Sequence, residues 1–265
     1  MGEGTMLAIK SLFRSNGDYF IPIQILLTAL IVWAAIFGDY SWYWWVAGLI
    51  GYFCTGCLGI TVTFHRYLSH KSFKMSKWLE YLFSFFGAMG GTGSTIGWVA
   101  VHRQHHFHSD TADDPHSPKL QGWRVLFPNY MFKWNKWPIR DLIVDRFHLY
   151  LHEYYFAIMI AWAMLLTLLF GVQGFVFLFA FPIVCQVWSS VLSNYGNHAS
   201  WWPLGYKNYD IKDDSVNNWF LAAITWGEGW HNNHHRYPGR YSFRHKWWEV
   251  DPSAWVIELI KKKEP

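Results

Sequence analysis

The chain has 265 residues, with 22 Lys and Arg against 18 Asp and Glu, a formal net charge of +4. Only 15% of residues are charged and 52% are hydrophobic, with 19 Trp; this excludes an ordinary soluble domain, where about a quarter of residues carry charge, and no basic run has nucleic-acid-binding character. A mean hydropathy of only +0.04 excludes the opposite extreme, so the composition predicts a membrane anchor with a sizeable wet cap and Trp at the headgroup level.

The first apolar run extends from about Tyr19 to Phe37. It has no small-residue cleavage site and a second run, Trp42–Phe64, follows at once, so it reads as a retained span and not a signal peptide. The turn-like Gly38-Asp39-Tyr40-Ser41 separates the two. Cys54 and Cys57 have the C-x-x-C spacing of some redox and metal sites. They and Cys185 lie in apolar stretches, however, and read as buried small residues with no disulfide framework. The second run leads into His65-Arg66-Tyr67-Leu68-Ser69-His70. Two His five residues apart diverge on an α-helix unless the helix ends between them.

A mixed stretch, Leu79–Val101, follows and contains Gly87, Gly90, Gly91, Gly93 and Gly97. A full crossing there would put His65–His70 and His102–His106 on opposite sides. The stretch is therefore predicted to lie at the interface or to dip in partway. Lys133-Trp134-Asn135-Lys136-Trp137 reads as an interfacial anchor. The next apolar runs, Tyr154–Phe170 and Phe175–Leu192, are split by Gly171-Val172-Gln173-Gly174. Lys261, Lys262 and Lys263 form a solvated tail or touch anionic headgroups.

Each apolar run has about the 20 residues that a helix needs to cross the hydrocarbon core. No Lys or Arg occurs between Arg14 and Arg66, or between Arg146 and Lys207. The expected fold is all-α and integral to the membrane: four transmembrane helices (19–37, 42–64, 154–170, 175–192) in two hairpins, plus interfacial helices. All 22 Lys and Arg and both termini then share one side, cytoplasmic by the positive-inside rule. A histidine-rich cap (65–151 and 193–265) completes a single domain, 1–265.

Of 14 His, nine fall in four tight groups at the cytoplasmic ends of spans or in cytoplasmic segments. These are His65 and His70; His102, His105 and His106; His198; and His231, His234 and His235. In H-x-x-H-H, positions i, i+3 and i+4 share one helix face, so three imidazoles can point at one place. Nine exceed the roughly three protein ligands of a zinc hydrolase site and suit two metals with four or five each. Imidazole serves Fe, Zn, Cu and Ni alike, so ligand type leaves the metal open.

The boxes H-x4-H, H-x2-H-H and H-x2-H-H, in that order, resemble the membrane fatty acid desaturase family. His102–His106 continues into Phe107-His108-Ser109-Asp110-Thr111-Ala112-Asp113-Asp114-Pro115-His116, similar to the H-S-D-T-x-x-D-P-H run of acyl desaturases. Gly227-Glu228-Gly229-Trp230-His231-Asn232-Asn233-His234-His235 resembles their third box. Asn194-Tyr195-Gly196-Asn197-His198 matches the N-x3-H motif of the stearoyl-CoA desaturase branch. The likeness runs from about Leu58 to Val250 and is strongest to short delta-9 desaturases of bacteria and cyanobacteria. The stretch from Tyr237 to His245 is longer than usual in that family.

The resemblance implies a pair of iron ions held by the nine His, O2 as co-substrate, and Asn194 holding a metal-bound water. Asp110, Asp114 and Glu228 are expected as acceptors for the outer ring nitrogens of ligating His, or as caps and turn residues. His108 and His116 are expected beside the ligands or in structural roles, and His148, His152 and His245 at the interface or surface. An alkyl C–H bond offers no acid, base or nucleophilic handle, so the metals carry the hard chemistry and the protein positions the chain. Cys54, Cys57, Leu58 and Thr61 share roughly one α-helical face leading to His65, which is expected to line an acyl tunnel or simply to pack.

The implied partners are a long-chain acyl substrate, on CoA, acyl carrier protein or a lipid, and a separate electron donor such as a ferredoxin or cytochrome b5. Arg103, Lys119, Arg124 and Lys207 would meet an acidic donor or substrate phosphate, or form a solvated face. A related two-iron hydroxylase or acetylenase is the alternative enzyme. A metal carrier would need polar residues along the spans, which show little of this. A zinc hydrolase of the H-E-x-x-H kind lacks its motif here.

Overall fold

A computed structural model of the chain describes residues 20–127, 139–199 and 204–262. The Lys133–Trp137 anchor, Tyr19 and Lys263 lie outside the described residues. Helix α1, Phe20–Phe37, carries no charged residue. Its Leu26, Ile36 and Phe37 are exposed, an apolar outer surface of the kind that lipid covers. After Ser41 the chain enters α2, Trp42–Tyr52, which runs on without a break into a π-helical segment, Phe53–Ser69. Together they make one helix of 28 residues.

The stretch Leu79–Val101 is not a span. It is divided between α3, Lys77–Met89, and α4, Thr95–His108. The turn between them uses Gly91 and Gly93 at φ of 78° and 106°, values that favour a residue without Cβ. Ser94 then caps α4, its hydroxyl accepting from the Gly97 N–H at 3.2 Å. Short helices follow: α5, Pro118–Gln121; a 3-10 turn, Gly122–Leu126; α6, Arg140–Ile143; and α7, Arg146–Glu153.

Helix α8, Tyr155–Gln173, a π-helical turn, Gly174–Ala180, and α9, Phe181–Gly196, form a helical run of 42 residues. Straight, it would be about 63 Å long. It is not straight. Gly171 sits at φ 65°, ψ −156°, and a Cβ on Gly174 would fall 2.2 Å from the carbonyl oxygen of Leu166. Residues that far apart in sequence cannot meet so closely on one rod, so the chain doubles back here. By length and composition, three helices among the described residues can cross a membrane, Phe20–Phe37, Trp42–Ser69 and Tyr155–Gly196, and the third is folded on itself.

The C-terminal part is short elements: β1, Gly205–Tyr206, antiparallel to β2, Asn217–Asn218; α10, Trp219–Ile224; α11, His231–Arg236; and α12, Pro252–Ile260. Asp251 caps α12, accepting from the Ala254 N–H at 3.1 Å. Two glycines set the distance between the long helix and α3. A Cβ on Gly59 would lie 2.3 Å from Gly87 Cα, so the two backbones touch. Ile60, Phe64, Ala88, Ile96 and Val99 pack around that contact in one buried cluster.

The π-helix corrects two α-helical expectations. Its i→i+5 bonding is explicit where the His70 N–H donates to the His65 carbonyl at 3.1 Å. Residues five apart therefore stack, and the His65 and His70 rings stand 5.0 Å apart instead of diverging. For the same reason Cys54, Cys57, Leu58 and Thr61 do not form one face. Cys57 and Thr61 are buried, while Cys54 and Leu58 are half-buried. The Cys57 thiol lies 3.4 Å from the Ser253 hydroxyl on α12.

Candidate metal centre

The histidine groups come together from four chain segments. The end of the π-helix brings His65 and His70; α4 brings His102, His105 and His106. His198 lies just past α9, and α11 brings His231, His234 and His235. They sort into two clusters, within each of which the candidate ligand nitrogens all lie inside 4.8 Å of one another. The first holds His65, His70, His102, His106 and His234; the second holds His105, His198, His231 and His235. His70 Nε2 lies 2.8 Å from His102 Nε2, so the first two boxes share one end of the molecule. In H-x-x-H-H, then, three imidazoles do not point at one place. His105 joins a different cluster from His102 and His106, and His234 one different from His231 and His235.

Four of the nine outer nitrogens are pinned by carboxylates. His105 Nδ1 donates to Asp114 at 2.9 Å, His198 Nδ1 to Asp110 at 3.0 Å, and His235 Nδ1 to Asp213 at 2.8 Å. His65 Nδ1 contacts Glu228. An imidazole that carries its proton on Nδ1 presents a bare lone pair on Nε2. The Nε2 atoms of His105 and His198 nevertheless face each other at 3.1 Å, and His231 Nε2 lies 3.1 Å from the same His198 atom. In the other cluster His234 Nε2 lies 3.0 Å from His65 Nε2 and 2.9 Å from His106 Nε2. Lone pairs converging in a buried space suit a cation, and imidazole donors in sets of five and four suit a pair of transition-metal ions.

Protonation works the same way. Burial, then repulsion among neighbouring imidazoles, holds His102, His106, His231, His234 and His235 well below the usual histidine range. They are neutral, as metal ligation requires. Burial alone would raise the carboxyls of Asp114 and Asp110. Hydrogen bonds from His105 and His198, the attraction of the same rings and further hydrogen bonds together outweigh it, holding Asp114 at about 2 and Asp110 well below the usual carboxylate range.

The two asparagines of the third box are scaffolding. Asn233 donates to the Phe243 carbonyl and Glu249 at 2.9 Å each. The Asn232 amide oxygen accepts from the backbone of Asn208 and Tyr209, also at 2.9 Å. Asn194, one helical turn ahead of His198, is half-buried. His116 packs beside His105 with ring centroids 4.2 Å apart, whereas His108 is near the surface.

His148 and His152, expected at the interface or the surface, are buried. His148 Nε2 pairs with Glu80 at 3.1 Å, and His152 Nδ1 with the Ser94 hydroxyl at 2.7 Å. Both partners come from segments distant in sequence, so no local pattern marked the burial. Of the surface cations, Arg103 forks onto Asp141 at 2.8 and 2.9 Å, and Lys119 pairs with Asp214 at 2.9 Å. Lys207 donates to the Asp213 carbonyl at 3.1 Å. Sequence reasoning missed Asp213, Arg66 and Asp251, since a lone acid in a loop and an Arg beside a His look ordinary until the fold surrounds them.

The fatty acid desaturase family model matches residues 42–253. The chain is 37% identical over 238 residues to an sn-1 stearoyl-lipid 9-desaturase of Anabaena variabilis, covering 87% of this chain and 85% of that one. It is 39% identical over 220 residues to a chloroplastic palmitoyl-monogalactosyldiacylglycerol delta-7 desaturase of Arabidopsis thaliana, covering 79% and 57%. It is 36% identical over 239 residues to an acyl-CoA 5-desaturase of Anemone leveillei, covering 84% and 70%.

Proposed function

The chain belongs to the membrane fatty acid desaturase family, and from that premise we propose that it introduces a cis double bond at the delta-9 position of a long saturated acyl chain. As a family member it is an integral-membrane oxidoreductase, a fatty acyl desaturase. One iron would be held by His65, His70, His102, His106 and His234. The other would be held by His105, His198, His231 and His235, with Asn194 reaching it through a water. When bound, the iron pair supplies the power to activate O2 and break two unactivated C–H bonds, with two electrons and two protons completing the reduction to water. The protein's part is to hold nine imidazoles, to fix the tautomers of His198, His105, His235 and His65 through Asp110, Asp114, Asp213 and Glu228, and to exclude bulk water from the buried clusters.

The observation that carries this reading is the convergence of buried Nε2 atoms into two separate sets. The 9-position is favoured by the extent of the likeness to the Anabaena stearoyl-lipid enzyme. Relatives named for delta-7 and delta-5 products are the competing outcomes. Those names also put the acyl group on a lipid or on CoA. The four-span reading takes the reversal at Gly171 as the tip of the second hairpin. Both termini and the His clusters then face the cytoplasm, and the chain works as one domain with an external electron donor. A related hydroxylase or acetylenase is the second reading, since the clusters by themselves fit all three reactions.

Expression in a host lacking unsaturated fatty acids, with mass spectrometry of its lipids, tests the proposal. A product two hydrogens lighter with a cis bond at carbon 9 is expected. A product with an added oxygen, or no new product beside a correctly inserted protein, rejects it. Asp213→Ala should weaken iron binding about 10–100-fold, as loss of a ligand's outer hydrogen-bond partner generally does. Titration of apo-protein with ferrous iron measures this, and an unchanged affinity would remove Asp213 from the site.

A further inference from the structure

We propose that Arg66 is a positioning residue for the five-histidine cluster, acting through Glu228, and that it ties the C-terminal helix to that cluster. This rests on assigning the cluster to a metal. Arg66 is fully buried, 0% exposed, on the π-helix next to His65. A guanidinium in that setting must be fully paired, and it is. One arm meets both oxygens of Asp251 at 2.9 and 3.0 Å and the Tyr241 carbonyl at 2.7 Å. The other arm donates to Glu228 Oε1 at 3.2 Å, with Nε at 3.3 Å. The guanidinium carbon lies 3.9 Å from the centre of the Phe243 ring.

Glu228 divides its oxygens between two tasks. Oε1 is held by Arg66, and Oε2 contacts His65 Nδ1. Arg66 therefore keeps the carboxylate aimed at the outer nitrogen of its own neighbour, which sets the His65 tautomer and turns Nε2 to the cluster. Phe243, under the guanidinium, also packs on the His234 ring at 4.3 Å. Asp251 accepts from the Phe243 N–H at 2.8 Å and caps α12. The fit is close: Gly227 has φ 108°, and a Cβ there would lie 2.4 Å from Asp251 Oδ1. One side chain thus joins His65, the loop that leads to His234, and the start of α12.

The test is ferrous iron titration of detergent-purified full-length apo-protein, with Mössbauer spectra of the loaded forms. Glu228→Gln should weaken one of two iron-binding events about 10–100-fold and spare the other. Arg66→Gln should do the same, and the double variant should lose no more than either single one, because the two act in series. Arg66→Lys keeps the charge but replaces a fork serving two carboxylates with one ammonium. It should weaken the same event by a smaller factor and supplies the readout if Arg66→Gln does not fold. Wild-type affinity at both events in Arg66→Lys, or additive losses in the double variant, would overturn the inference. Wild-type protein that takes up no iron would overturn the site assignment itself, and this inference with it.

Discussion

Replacing His234 by alanine is expected to abolish turnover and to leave the chain able to hold about one iron instead of two. His234 Nε2 is the atom that both His65 Nε2 and His106 Nε2 approach, at 3.0 and 2.9 Å. Removing it takes away one of five donors and leaves two lone pairs facing a hole in a buried space. Loss of only an outer partner typically costs 10–100-fold in metal affinity or activity, so loss of a donor should exceed about a hundredfold. Metal analysis of purified protein, with product formation in the unsaturate-deficient host, measures both effects. The mirror experiment is His231→Ala, in the four-histidine cluster. It should remove the other iron, so the two variants should differ in their Mössbauer spectra while sharing the loss of activity. A His234→Ala protein with full turnover, or His234→Ala and His231→Ala proteins that each lose both irons, would break the division into sets of five and four.

Gly59→Ala should destabilise the protein far more than its size suggests. The added Cβ would fall 2.3 Å from the Cα and N of Gly87. Backbone on one side and backbone on the other cannot both yield. Overpacking typically costs about 1–3 kcal/mol, and this site belongs at the upper end because no flexible side chain can move aside. A fall of roughly 5–10 °C in the thermal midpoint in detergent is expected. Bound iron should fall with it, because Gly59 lies on the helix that carries His65 and His70, and Gly87 on the helix that leads to His102. Gly239→Ala is the control, since nothing lies within 4 Å of a Cβ there. Equal midpoints for the two variants would show that the helices can part without cost.

Much of the architecture was legible because it is written in one dimension. Span length and the gaps in Lys and Arg depend only on order along the chain, and they located the apolar helices. The histidine spacings and their flanking residues likewise pointed to the family. Misreadings came where local conformation departed from the α-helix. The segment Phe53–Ser69 is π-helical, so the α-helical period misplaced both the His65–His70 relation and the Cys54–Thr61 face. A fully α-helical chain of the same composition would look no different on paper. His148 and His152 were misread for another reason: burial is decided by what packs on a residue, and Glu80, Thr95 and Ser94 come from elsewhere in the chain.

The sequence by itself determined that this is a membrane chain with apolar helices of spanning length and nine clustered histidines of desaturase type, because hydropathy and motif spacing are properties of order alone. Only the tertiary structure decided which histidines share a cluster, which carboxylates hold His65, His105, His198 and His235, and that Arg66 and Asp213 belong beside them. Those pairings join residues far apart in the chain, as His65 with His234 or His235 with Asp213. Proximity of that kind arises only when the helices pack.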